Sequence, residues 1–317
     1  MTGVATLEPP MPESAPDAQD PHATGAPLDV TEVPPLSPRL QIVRTVLVMV
    51  FAISAGLVLQ LTVISALQHH SAQGQAFNRF RGELATGIAP VGPTDDQNHV
   101  LPAGTPVAFL EIPRLGVREV VGEGTTSAVL FSGPGHRRDT PLPGQVGTSV
   151  IFGRRASYGG PFNRLPELKA GDLVRVTTGQ GVYTYAVLGV RREGMPVPPA
   201  PAANTSRLLL ITAAGSPYVP NGVLRVDADL KGDATGGPAR VVTTAGLSPE
   251  ERANAGDART LWALALWLQA LVLLSIAAVW SWLRWGRAQT WIVFVPLLLL
   301  AGIAAAGQVA RLLPNLL

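Results

Sequence analysis

The side chains able to do chemistry are thinly spread in this sequence. It contains no cysteine, so thiolate nucleophiles, thiolate metal ligation and disulfides are all excluded. Ser216, in Gly215-Ser216-Pro217, is a candidate hydroxyl nucleophile, and that role requires a neighbouring base. His136 is the histidine available inside the segment that reads as folded; the plainer reading is a loop histidine hydrogen-bonding its surroundings. Arg154 and Arg155 stand together at a strand end, and Arg225 lies on a later strand. They read either as solvated charges or, for Arg154 and Arg225, as a pair facing across a groove. Two guanidinium groups so placed would favour a carboxylate or phosphate ligand. Asp227 and Asp229 alternate along one strand, the pattern of a solvated edge rather than of a metal site. No residue cluster calls for a metal or a cofactor.

The elements that must position these residues are short and β-like. Arg207–Arg225 reads as an apolar strand, a small-residue turn, a loop and a second strand bearing Arg225. Upstream, Val107–Ile112, Val117–Val121, Thr148–Phe152, Leu173–Thr178 and Val182–Val190 have strand character, and Val223–Leu230 follows. Tyr183, Tyr185 and Val187 alternate onto one face, and Gly179-Gln180-Gly181 reads as a hairpin turn. Short strands punctuated by Gly and Pro over residues 106–230 predict an antiparallel barrel or sandwich with a single core.

Composition adds a membrane to this picture. The chain has 317 residues, 47% of them hydrophobic, and much of that fraction sits in three apolar runs. The run 45–67 carries no charge and is long enough to cross a hydrocarbon core of ~30 Å. The runs 261–283 and 290–313 follow the β-rich segment, the latter interrupted by Pro296. Arg39 and Arg44 precede the first run, and Arg284 and Arg287 lie in the short loop between the other two. By the positive-inside rule both sets are cytoplasmic, which puts the β-rich domain outside the cytoplasm. Residues 1–40 are rich in Pro, Ala and acidic residues without apolar periodicity, and read as a disordered cytoplasmic tail. Residues 68–105 and 231–260 read as linkers, with a short helix over 73–84 in the first. The net charge is only +2 and basic residues are not interleaved with aromatics, which argues against a nucleic-acid partner.

Five motifs, in order, resemble those of sortases, the bacterial transpeptidases. Phe109-Leu110-Glu111-Ile112-Pro113 with Leu115-Gly116-Val117 is similar to an "IPxLGV" signature. Gly133-Pro134-Gly135-His136 with Leu142-Pro143-Gly144 is similar to the "GPGH…LPG" loop of class D/E-like, actinobacterial-type members. Val150-Ile151-Phe152-Gly153-Arg154-Arg155 falls where the family reads "VIAGHR". Gly160-Pro161-Phe162, Leu165, Leu168 and Gly171-Asp172 follow "GxPFxxLxxLxxGD", and Tyr183–Val187 follows "YxYxV". The resemblance implies an eight-stranded β-barrel, and the fold expected is mainly β: this barrel plus three transmembrane helices.

The resemblance also implies a cysteine that attacks a Leu-Pro-x-Thr-Gly-like signal, a histidine acid–base and an arginine that holds substrate and oxyanion. Laid on Leu210–Ala214, the family's Thr-Leu-x-Thr-Cys places the cysteine position at Ala214, the histidine position at Arg154 and the arginine at Arg225. A methyl group forms no thioester, and a guanidinium does not shuttle protons near neutral pH. The expectation is a degenerate, catalytically silent member, its groove holding an extended peptide or an anionic cell-surface group through Arg225 and Arg154. A membrane-protein partner is expected, in a scaffold role in cell-surface protein assembly. The alternatives are an enzyme using Ser216, with His136 as base, and a membrane-complex subunit acting through its helices.

Overall fold

In the computed structural model, residues 54–239 and 241–317 are described, together with Ser37, Arg39, Leu40, Val43 and Leu47. Eight strands close into a barrel: β1 (Pro106–Ile112), β2 (Val117–Glu123), β3 (Gly135–His136), β4 (Gly147–Phe152), β5 (Leu173–Thr178), β6 (Gly181–Arg192), β7 (Ser206–Ser216) and β8 (Val219–Leu230). Their order around the barrel is β1-β2-β3-β4-β7-β8-β6-β5. The pairs β2–β3 and β4–β7 are parallel, and the others are antiparallel. Closure leaves no free sheet edge. The strands alternate as the sequence pattern requires. Leu110, Ile112, Val121, Ile151, Val174, Val176, Tyr185, Leu208, Leu210 and Val226 fill the interior.

Two glycines fix the loops that bracket the later site. A Cβ on Gly153, just after β4, would stand 2.3 Å from Cδ2 of buried Phe162, so only glycine lets the chain turn over that ring. Gly144, at φ 94°, lies flat on the Tyr183 ring and donates its N–H to the Tyr185 hydroxyl at 2.6 Å.

The description as mainly β needs correcting, because among the described residues four α-helices accompany the barrel. Residues 68–105, read above as a linker with a helix over 73–84, hold the longer helix α1 (Ser65–Thr86). It continues without a break from a π-turn at Gln60–Ile64 and from helical residues 54–59. α1 lies on the outer face of β1 and β2. Gln73 receives the Val120 N–H at 2.7 Å and donates to Val120 O and Ser132 O. Phe80 is buried with Val120, and the Phe77 and Phe109 ring centres are 5.3 Å apart. Such tertiary contacts lengthen a helix whose own pattern is weak.

α2 (Ser127–Ser132) is a short turn after β2. α3 (Leu261–Trp285) and α4 (Arg287–Leu312) form a hairpin. Among the described residues two helices, not three, are long and apolar enough to cross a membrane, Leu261–Trp282 and Ala288–Leu312. The remaining expected span, 45–67, falls partly outside the described residues, as does most of the segment 1–40. Residues 231–260 are not a free connector either. They form three single turns, and Glu251 O accepts from the Thr125 hydroxyl at 2.7 Å.

Candidate functional site

The site is built where β4 and β7 run side by side. Phe152 is in register with Ile211, and the N–H of Gly153 extends the ladder to Ile211 O at 3.0 Å. Alternation then sorts the side chains of both strands. Ile151, Leu208 and Leu210 enter the barrel core, whereas Val150, Phe152, Leu209, Ile211 and Ala213 form an apolar patch on the outer face. Ala214, expected at the cysteine position, packs into the interior core, at a β-bulge between Ala213 and Gly215. The small residue on the outer face is Ala213, whose carbonyl accepts from Arg155 Nη1 at 2.7 Å.

Arg154 follows Gly153 directly and is fully buried. Its guanidinium carbon lies 4.9 Å from the Phe131 ring centre and 5.3 Å from that of Tyr158; the two rings stack 3.9 Å apart. Nε donates to Ser157 Oγ and to the main-chain oxygen of Leu317, both at 3.0 Å. Nη1 and Nη2 have no hydrogen-bond partner among the described residues. Burial pulls the pKa down to about 10, with Tyr158 opposing. The group therefore stays protonated near neutral pH and cannot serve as a general base there.

The structure does not join Arg154 to Arg225 as a facing pair. Arg225 is half-buried on β8, with Ile211 and Arg191 as its cross-strand neighbours. It therefore shares the outer face with the apolar patch. The other arginines of that face are engaged: Arg191 donates to both oxygens of Asp227, at 2.5 and 3.2 Å, and Arg207 to both of Asp229, at 2.6 and 3.0 Å. Asp227 is thereby buried in its pairing, whereas Asp229 stays partly exposed to solvent. Among the described residues no carboxylate pairs with Arg225.

Ser216 and His136 are not brought together. Ser216 is exposed on the β7–β8 hairpin. His136 is buried, with Nδ1 2.8 Å from Glu123 Oε2 and Nε2 3.0 Å from Pro141 O. Both ring nitrogens are engaged, so the imidazole has none left to activate a serine. Burial opposes its protonation, but Glu123, Pro141 O and Asp139 together raise its pKa above the ordinary value.

The family model of the sortase domain matches residues 110–220. Those residues contain the whole of this site except β8 beyond Pro220 and the segment around Leu317. The barrel belongs to the sortase family. Sortase D of Bacillus subtilis is 33% identical over 85 residues, 27% of this chain and 41% of that relative. The chain thus spans less than half the length of this sortase. Sortase E of Streptomyces avermitilis is 31% identical, over 48% of this chain and 100% of that one, with a TM-score of 0.36. A Clostridium perfringens Sortase D5 transpeptidase is 20% identical, over 51% of this chain and 99% of that one, with a TM-score of 0.42.

Sequence reasoning missed the residues that fill the outer face of this sortase barrel. Leu316 is buried in the patch with Val150, Phe152, Ile211 and Ala213. Asn315 is also fully buried. The available signal was the order Leu313-Pro314-Asn315-Leu316-Leu317, in which helix-breaking residues precede two leucines at the end of an apolar run.

Proposed function

We propose that this chain is a membrane-anchored sortase-like protein that performs no transpeptidation and acts as a binding or scaffold component in cell-surface protein assembly. The observation that carries this reading is the pairing of a cysteine-free sequence with a buried Arg154, protonated near neutral pH, at the histidine position. No thioester can form, and proton transfer near neutral pH lacks its carrier. Binding remains available: the outer face of β4, β7 and β8 combines an apolar patch with Arg225, whose guanidinium has no carboxylate partner among the described residues. An extended peptide or an anionic surface group suits such a face. The arginines at 39, 44, 284 and 287 favour a multi-pass topology with the amino-terminal side cytoplasmic and the barrel extracytoplasmic.

The reading that the protein acts through its helices draws support from their faces. Trp262, Trp280, Trp285 and Trp291 of α3 and α4 are all exposed. One experiment separates the two. The full chain is captured from detergent-solubilised membranes and its co-purifying proteins are compared with those of Arg225→Ala. A partly desolvated arginine contact worth roughly 1.5–3 kcal/mol makes the expected loss of partner about 10- to 100-fold. Full retention by Arg225→Ala, with loss on replacing the exposed tryptophans by leucine, would assign the interaction to the helices.

A further inference from the structure

α4 does not simply stop where its apolar run ends. Leu313 adopts an extended conformation, at φ −68° and ψ 155°, as a residue before proline does, and Pro314 prevents the helix from continuing. The chain then meets the β4–β7 face as a tight turn, closed by the Leu317 N–H donating to Pro314 O at 3.0 Å. Asn315 donates its main-chain N–H to Ala255 O at 2.8 Å and its side-chain amide to Arg252 O at 2.9 Å and Thr125 O at 3.0 Å. Leu316 is fully buried in the outer apolar patch, and its carbonyl accepts from the Arg155 N–H at 3.0 Å. Leu317 O accepts from Ser157 Oγ at 2.9 Å and from Arg154 Nε at 3.0 Å. Main-chain hydrogen bonds plus a pocket for one apolar side chain constitute peptide recognition. Here the recognised peptide is the chain itself.

We propose that Pro314–Leu317 is an intramolecular ligand that closes this groove, so that another extended peptide binds only after the segment leaves. The proposal rests on the reading of the groove as a peptide site. Arg154, Arg155 and Ser157 are positioning residues for the segment, and Leu316 is its anchor. The hairpin of α3 and α4 delivers it: Asp257 N–H donates to Arg311 O at 2.9 Å, which ties the exit of α4 to the approach of α3. A tethered ligand of this kind competes at an effective concentration on the order of millimolar. Movement of the helix hairpin is thereby coupled to access to the groove.

The lack of cysteine makes the test direct. Ala213→Cys puts a unique thiol in the patch beneath Leu316, and Val182→Cys puts one on an exposed strand as a reference. Maleimide labelling of the full chain in detergent should be slow for Ala213→Cys. It should speed up by about 10-fold or more when Leu316→Asp is added, as expected for opening of a closed segment. Val182→Cys should label at one rate in both backgrounds. Leu316→Ala serves if the aspartate variant no longer melts cooperatively. Rapid labelling of Ala213→Cys alone, or slow labelling that neither Leu316 variant changes, overturns the proposal. Added Leu-Pro-Asn-Leu-Leu peptide at millimolar concentration should slow labelling of the opened chain again. Opening without such protection would leave the closing segment standing and contradict the groove as a peptide site.

Discussion

His136 sits between Glu123 Oε2 at 2.8 Å and Pro141 O at 3.0 Å, buried among groups that favour its charged form. Burial alone would lower its pKa; Glu123, Pro141 O and Asp139 raise it above the usual value near 6.5. A raised histidine contributes stability that is fully present below pH ~6.5 and is lost as pH rises through the folded-state value. The melting temperature of the wild type should therefore exceed that of His136→Gln by most in mildly acidic buffer, and the gap should narrow as pH rises. Removing one member of a buried charged pair costs about 3–5 kcal/mol, so the acidic-side gap should be readily measured. A gap independent of pH would contradict the protonated pairing. The position of His136 was legible in its loop motif, but the partners that occupy both nitrogens were not. Arg154 is similar: adjacency in sequence marked it, yet Phe131, Tyr158 and Leu317 converge on it only through the fold.

The strands were the most legible elements, because period-two alternation survives single-sequence reading wherever one face is buried. Tyr183, Tyr185 and Val187 face the core as that alternation requires. The length of α1 was not legible, since Gly74, Gly82 and scattered polar residues dilute its pattern. Its stability comes from Gln73, Phe77 and Phe80 meeting β1 and β2. The faces of Ala213 and Ala214 follow from the same alternation: Leu208, Leu210 and Ala214 share the core side of β7, and Leu209, Ile211 and Ala213 the outer side. The α3–α4 hairpin carries a prediction of its own. The proposed topology puts Arg284 and Arg287, near its turn, on the side of the membrane opposite the barrel. A membrane-impermeant thiol reagent added to whole cells should label Val182→Cys and leave Gln289→Cys unlabelled until the membrane is opened. Labelling of Gln289→Cys with protection of Val182→Cys would reverse the topology.

Across the whole molecule, barrel, α1 and hairpin converge on one face. Ser65 Oγ accepts the Tyr158 N–H at 3.2 Å, Tyr158 stacks on Phe131, and Arg154 lies over both rings and reaches Leu317. The sortase barrel thus carries, on this face, a buried cation among apolar side chains. Chemistry is absent in this account and recognition persists. Mass spectrometry of the full chain, after incubation with a peptide bearing a Leu-Pro-x-Thr-Gly-like signal and an amine acceptor, tests that claim most directly. The account predicts intact peptide and a protein of unchanged mass. An acyl adduct on any side chain, Ser216 above all, or cleavage after the threonine would contradict it.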